Sequence, residues 1–221
     1  MADGYRNLSI GEIRGLEAAG CRSGSWESVF VREPFNAERM RNVTFSGTVK
    51  LGMFTGVSRE SCGLPLPHGI TNAHIHNCTV GDNVTIIDIT GYIANYDIGE
   101  GVVIRNCGHI STEGMTTFGN GTRVAVLNET GGREVPIWDR LTSHMAYIIT
   151  LYRHRPEAIE MIEKLIGDYT DHVRSDRGEI GSGARIAGCG TIKNVRIGNG
   201  AVIEDVSRLA EGSVNSSFKD P

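Results

Sequence analysis

The chain has 221 residues, 22 basic against 26 acidic side chains, and a formal net charge of −4. That balance excludes a strongly basic nucleic-acid binder as the default, and no apolar run approaches the roughly 20 residues that span a bilayer. Five scattered cysteines without a C-x-x-C pair exclude a disulfide framework or a zinc ribbon and read as reduced thiols, which, with no apolar leader in residues 1–9, leads to the expectation of a cytoplasmic protein.

Hydrophobic residues at 39% suffice for a buried core, and 29 glycines beside only 6% aromatics direct attention to an internal repeat. In chain order, Ser9-Ile10-Gly11-Glu12 has the form of a capping box, and Gly20 ends the short helix it opens. With Trp26, Val29 and Phe30, residues 1–42 are expected to cap the structure that follows. An apolar residue then recurs every six positions, first as Phe45, Leu51 and Val57, then as Val80, Ile86, Tyr92, Ile98, Ile104 and Ile110. The beat resumes as Ile180, Ile186 and Ile192 and, one residue short, as Ile197, Ile203 and Leu209. Overlaid on it, a unit apolar-Gly-x-Gly/Asn-small occurs at 80–84, 98–102, 118–122, 180–184 and 197–201.

A period of six is neither helical nor a plain strand alternation. It suits a chain that runs a short strand, turns at a Gly or Asn of positive φ, and repeats. Three hexads make one coil, with the recurring aliphatic and the small residue two before it pointing inward and the residue between them pointing out. Stacked coils bury their aliphatics against one another. The first run of coils is expected over residues 43–138, with the period lost at Asn128. Leu141, Met145, Ile148 and Tyr152 fall at helical spacing, Pro156 suits the first turn of a second helix, and Ile159, Ile162, Ile166, Tyr169 and Val173 form a 3-4-3-4 stripe. Residues 139–175 are therefore expected as an inserted helical hairpin, 176–214 as a second run of coils, and 215–221 as a loose tail, all within one structural domain.

The hexads resemble those of the hexapeptide-repeat, left-handed parallel β-helix proteins. The stretches 77–83 (Asn-Cys-Thr-Val-Gly-Asp-Asn), 128–137 (Asn-Glu-Thr-Gly-Gly-Arg-Glu-Val-Pro-Ile) and 151–156 (Leu-Tyr-Arg-His-Arg-Pro) are similar to an uncharacterised Bacteroidetes family of such proteins. The resemblance implies a mainly β fold, a left-handed winding against the usual crossover preference, and a homo-oligomer, with a trimer favoured. The superfamily includes acyltransferases, sugar-nucleotide enzymes, carbonic anhydrases and scaffolds without catalysis, so it implies no single activity. For an acyltransferase it implies acetyl-CoA or another acyl-CoA as donor.

Three groups of residues carry candidate chemistry. At the polar turn Asn128 to Glu134, the backbone N–H groups of Gly131 and Gly132 can form an anion nest, and Arg133 can grip a carboxylate or phosphate. Glu129 or Glu134 there could act as a base or bind a sugar hydroxyl, though a sharp turn with an Arg–Glu pair accounts for the same residues. His74 precedes Ile75 and His109 precedes Ile110, so both should face outward on one flat face, about 10 Å apart across two coils, with Gly91 between them. Histidine titrates nearest neutral pH and is the usual general base; in hexapeptide acyltransferases an outward His commonly serves so. In the carbonic anhydrase branch three histidines hold a metal, and that spacing is not kept here, although His68 and His76 are near. Arg153 and Arg155 close a helix, where the dipole favours cations; with Arg140 and Arg133 they could also receive a phosphorylated ligand such as a nucleotide sugar or coenzyme A. Cys78, two residues before Val80, is expected to face inward as a packing residue.

The expected function is a transferase-like protein acting on a sugar or nucleotide-sugar. The alternatives are a scaffold and a metal-dependent hydratase. No nucleic acid and no membrane is expected as a partner.

Overall fold

Three columns of apolar side chains organise the molecule. In the computed structural model, which describes residues 4–59, 63–125, 131–132 and 134–220, short parallel strands stack into three ladders that the chain visits in rotation. The first ladder sets Met40, Ile70, Ile86, Ile104, Ile186 and Ile203 one above another. The second sets Phe45, Ile75, Ile93, Ile110, Ile192 and Leu209. The third sets Val31, Leu51, Val80, Ile98, Ile180, Ile197 and Val214. Most of these side chains are fully buried in one continuous core. Each strand is too short to bury anything alone, so the stacking of neighbours supplies the apolar contact.

Several steps are five residues and not six, as from Met40 to Phe45, Ile70 to Ile75 and Ile75 to Val80, and at one layer the expected inward residue changes. Between Ile86 and Ile98 the inward residue is Ile93, which is fully buried, while Tyr92 faces out and is half-exposed. The steps are seven and then five residues: Ile89 still pairs with Cys107, on the same offset as Ile86 with Ile104, whereas Ile93 pairs with Ile110, so the extra residue lies between Ile89 and Ile93. Asp88 takes a positive φ at its corner, as do Asn42, Asn72 and Asn106 between the first and second ladders, and Asn77, Asn95 and Asn194 between the second and third. Asn tolerates this left-handed conformation better than most side chains. Its amides also tie layers together, as when Asn42 Nδ2 donates to Asn72 Oδ1 at 3.1 Å and Asn72 Nδ2 to Asp88 Oδ1 at 2.6 Å.

The stack begins earlier than the sequence suggests. Arg22–Ser23 and Val29–Arg32 pair in parallel with the strands above them, so the cap within residues 1–42 is reduced to Tyr5–Asn7 and helix α1, Ile10–Ala18. The capping box is present as read: Ser9 Oγ accepts from the Glu12 N–H, and the Glu12 carboxylate accepts from the Ser9 N–H. Leu16 of α1 closes the core at that end.

Two excursions leave the stack at corners. Between Leu51 and Ile70, Val57–Arg59 and Pro65–Pro67 pair as an antiparallel hairpin. Val57, expected as a beat residue, lies there and is half-exposed. The larger excursion departs after Ser111 and returns at Gly178, so the first run of coils ends well before residue 138. Phe118 to Thr122 copies the Gly-x-Gly unit yet belongs to none of the ladders; Phe118 itself adopts φ +52° and is buried. Arg123–Ala125 and Glu134–Pro136 form an antiparallel pair, followed by α2, Ser143–Leu151, and α3, Pro156–Val173. Val135, Ile149 and Ile166 make a small second core there, with Trp138, Leu141, Met145 and Ile162 against it. The helical hairpin is thus present, inside a longer insertion.

The segment after Val214 does not hang free. Asn215 Nδ2 donates to Asp139 O at 2.9 Å, Ser216 Oγ donates to Asn199 O at 2.7 Å, and Phe218 lies against Gly183 and Gly200. Cys21, Cys78, Cys107 and Cys189 are buried free thiols, and burial pushes Cys78 up to about 11, which suits packing and not nucleophilic work. Among the described residues, no helix is long and apolar enough to cross a membrane.

Candidate functional site

The outward residue before each inward side chain of the second ladder falls into a column of its own. Because Ile75 pairs with Ile93 and Ile93 with Ile110, that column reads Thr44, His74, Tyr92, His109, Thr191, Arg208. His74 and His109 therefore share one face, two strand spacings or about 10 Å apart along the backbone. The residue between them is Tyr92 and not Gly91, which follows from the shifted register. The Tyr92 and His109 rings meet with centroids 4.8 Å apart at 39°. Gly91 has a different part: a Cβ there would collide with the His109 ring, so its absence lets that ring lie back over the preceding layer.

Two residues along the strands runs a second outward column, beginning Ser46, His76, Ala94, Ser111. Ser46 Oγ stands 2.9 Å from His74 Nε2 and 2.9 Å from His76 Nδ1, bridging the columns. His76 Nε2 is 3.0 Å from Asn77 Nδ2, while Asn77 Oδ1 accepts from the Thr48 N–H at 2.9 Å. These contacts set the direction of the hydrogen bonds from Asn77 through His76 to Ser46. The Asn77 amide donates to His76 Nε2, so neutral His76 carries its proton on Nδ1 and donates to Ser46 Oγ. Ser46 Oγ has one proton and two lone pairs, so its contact with His74 Nε2 suits either tautomer of that ring. Asn77, His76 and Ser46 together hold the His74 ring in place. His109 is exposed, and its ring is held by the Tyr92 face. Ser46, His76 and Tyr92 were not singled out as partners of the two histidines by the sequence. Period-two counting from His74 and its pairing partner Thr44 reaches both His76 and Ser46, but only the pairing says which strand lies beside which.

At the polar turn, Asn128, Glu129 and Arg133 lie outside the described residues. Gly131 and Gly132 have φ of +83° and +88°, the conformation expected of the turn. The Gly132 N–H donates to Glu134 Oε1 at 2.9 Å. The Gly132 donor of the expected anion nest is thus taken by the chain's own carboxylate. That bond, with the Glu134 N–H and the nearby Arg123 and Arg153 charges, holds the Glu134 carboxyl below its ordinary range. Such a group accepts hydrogen bonds well and is a weak base. Arg153 turns toward this turn, donating from Nη2 to Glu134 O at 3.0 Å. Arg155 is exposed at the start of α3, and Arg140 lies over the Tyr169 ring at 4.7 Å. Of the expected arginine patch, Arg140 and Arg153 thus face separate partners.

Residues 5–221 match the family described as Domain of unknown function (DUF4954). The chain belongs to this family. A relative from Treponema pallidum (strain Nichols), described as "Uncharacterized protein", is 28% identical over 228 residues. The alignment takes in 98% of this chain and 31% of that relative, so the chain spans about a third of the relative's length. No solved structure matches this chain. Among the described residues of this DUF4954 chain, no group of three or more His, Cys, Asp or Glu side chains is arranged to hold a metal ion. The gap between His74 and His76 is bridged by the Ser46 hydroxyl.

Proposed function

We propose that the stack is a left-handed parallel β-helix of the hexapeptide-repeat class, and that the protein is a homotrimeric, transferase-like enzyme acting on a sugar or nucleotide-sugar. The fold reading is supported by the three-ladder rotation and by the resemblance of the hexads. The functional reading rests on one observation, the hydrogen-bond chain Asn77, His76, Ser46, His74, which ends beside Tyr92 and His109.

In acyl transfer, the acceptor hydroxyl attacks the thioester carbonyl of an acyl-CoA. His109 takes the hydroxyl proton as the new C–O bond forms. The carbonyl oxygen gains negative charge, and His74, in the tautomer that accepts from Ser46 at Nε2, donates to it from Nδ1. Collapse of the intermediate expels the CoA thiolate, which recovers the proton from His109. Tyr92 steers the acceptor between the two rings.

The test is a thermal-shift screen against acyl-CoAs, nucleotide sugars and sugar phosphates, followed by turnover of the compounds that bind. Tight binding stabilises the native state by mass action, about 2.7 kcal/mol at 100 times Kd. His109→Ala is expected to keep binding and to lower turnover by about 10²–10⁴-fold. A flat screen on folded protein, or full turnover in His109→Ala, overturns the reading.

A second reading, a scaffold without catalysis, is favoured by the apolar side chains left outside the insertion. Met161 is 74% exposed and Leu165, one turn on, is also exposed, as are Tyr147, Leu151 and Tyr152 of α2 and its end. Ile162 and Ile166 of the α3 stripe are spent on the insertion's own core.

A further inference from the structure

A cavity of about 250 Å³ lies where the insertion meets the outward side of the third ladder. Asp139 and Arg140 form one wall with Tyr169 of α3, and Glu179, Arg196 and Asn199 form the other. The cavity lies apart from the histidine columns, which stand on the second ladder.

Its walls carry charge in balance, two carboxylates against two guanidinium groups. The Tyr169 hydroxyl donates to Asp139 Oδ2 at 2.7 Å, and the edge of Trp138 packs on the same tyrosine with ring centroids 5.1 Å apart. The Asp139 main-chain N–H is fixed by Asn120 Oδ1 at 2.8 Å. Asp139 is therefore held in one orientation. Its second oxygen, Oδ1, is withdrawn from solvent and has no hydrogen-bond donor among the described residues. A buried carboxylate oxygen left so is costly. Across the cavity, Arg196 Nε donates to Glu179 Oε2 at 3.0 Å, and Arg140 is stacked on Tyr169.

A phosphate would meet both carboxylates here, and an apolar ligand would strand four charges. A hydroxyl group suits this wall, because it donates to a carboxylate and accepts from a guanidinium at once. The volume corresponds to roughly eight waters of about 30 Å³ each, the scale of one sugar ring. We propose that this cavity binds a neutral, hydroxyl-rich ligand of monosaccharide size, with a ligand hydroxyl donating to Glu179 and others accepting from Arg140 and Arg196. The site is argued from its own walls and does not depend on the chemistry assigned to His109.

The experiment is isothermal titration of the whole chain with glucose and with N-acetylglucosamine, and with glucose 6-phosphate as the anionic comparison. Saturable binding of a neutral sugar is expected, weakened about tenfold or more, or 1.4 kcal/mol, in Arg196→Ala and in Arg140→Ala. Asp139→Asn is expected to weaken it likewise. Because that variant disturbs Tyr169 and can impair folding, the two arginine variants suffice for the decision. His109→Ala is expected to keep binding at either site, so the losses in the two arginine variants, which stand apart from the histidine columns, are what separate this site from the histidine face. No binding of either neutral sugar, preference for the phosphorylated sugar, or affinity unchanged in both arginine variants overturns the proposal.

Discussion

Ile93 and Tyr92 are neighbours with opposite duties, and one extra residue between Ile89 and Ile93 decides which does which. Ile93 fills the second ladder between Ile75 and Ile110 with no exposed surface, and Tyr92 lies outside against His109. Truncating a buried Ile removes its transfer energy and leaves a cavity, so Ile93→Ala is expected to cost about 2–5 kcal/mol. Tyr92→Ala removes a half-exposed ring, and surface changes of this kind stay within about 0.5–1 kcal/mol. Chemical denaturation of the two variants checks this, and equal losses, or a larger loss at Tyr92, would show that the register is not the one described. Tyr96 marks the same inward geometry from another side. Its hydroxyl donates to Val195 O at 2.7 Å inside the stack, and burial pushes it up to about 12. It satisfies a carbonyl that the core otherwise surrounds with aliphatic groups.

Among the elements, the large insertion depends on how its two ends are tied to the stack. On the outgoing side Glu113 is joined to Lys193 at 2.5 Å, and its N–H donates to Asn194 Oδ1 at 2.8 Å. On the returning side Arg177 grips Asp97 through Nε at 3.1 Å and Nη2 at 2.5 Å, while its Nη1 donates to Asn77 O at 2.9 Å. Burial raises the Asp97 carboxyl, but the hydrogen bonds from Arg177 and Thr79 and the Arg177 charge outweigh it and hold Asp97 below its ordinary value. A forked guanidinium–carboxylate pair of this kind is geometrically specific, so lysine is a poor replacement. Arg177→Ala and Arg177→Lys are both expected to speed amide hydrogen exchange within 112–177 while the ladders exchange at the wild-type rate. Exchange that rises evenly over the whole chain would show that the clamp does not act locally. Asn77 thus meets Arg177 through its carbonyl and His76 through its amide, which joins the return of the insertion to the histidine face.

For the whole molecule, stability is a sum over layers, each resting on its neighbours. The two cores differ accordingly. The ladder core is continuous along the stack, whereas Val135, Ile149 and Ile166 form a small satellite under the helices. The outer side of those helices leaves Met161 and Leu165 in solvent, one turn apart on α3. If this face joins copies of the chain, Met161→Asp with Leu165→Asp is expected to lower the solution mass to that of the monomer without unfolding the stack. Light scattering at several concentrations decides it. An unchanged mass in the folded double variant removes α3 from any interface.

By itself the amino-acid order determined the repeating strand, the inward aliphatic columns, the capping box at Ser9 and the helices of the insertion. These are local or periodic properties, because each follows from spacing within a few residues. It also put His74 and His109 on one face, since whole circuits of the chain preserve side. Only the tertiary structure decided that Ile93 replaces Tyr92 in the core, because one extra corner residue shifts the register without leaving a mark on the average period. It decided that Phe118 to Thr122 is no corner, because a Gly-x-Gly unit permits a tight turn wherever it falls. It decided the partners of His74 too. Ser46 is 28 residues away in sequence and His76 is two, yet one hydroxyl joins all three. Which strand lies beside which depends on the lengths of both excursions, and a repeat count does not contain them.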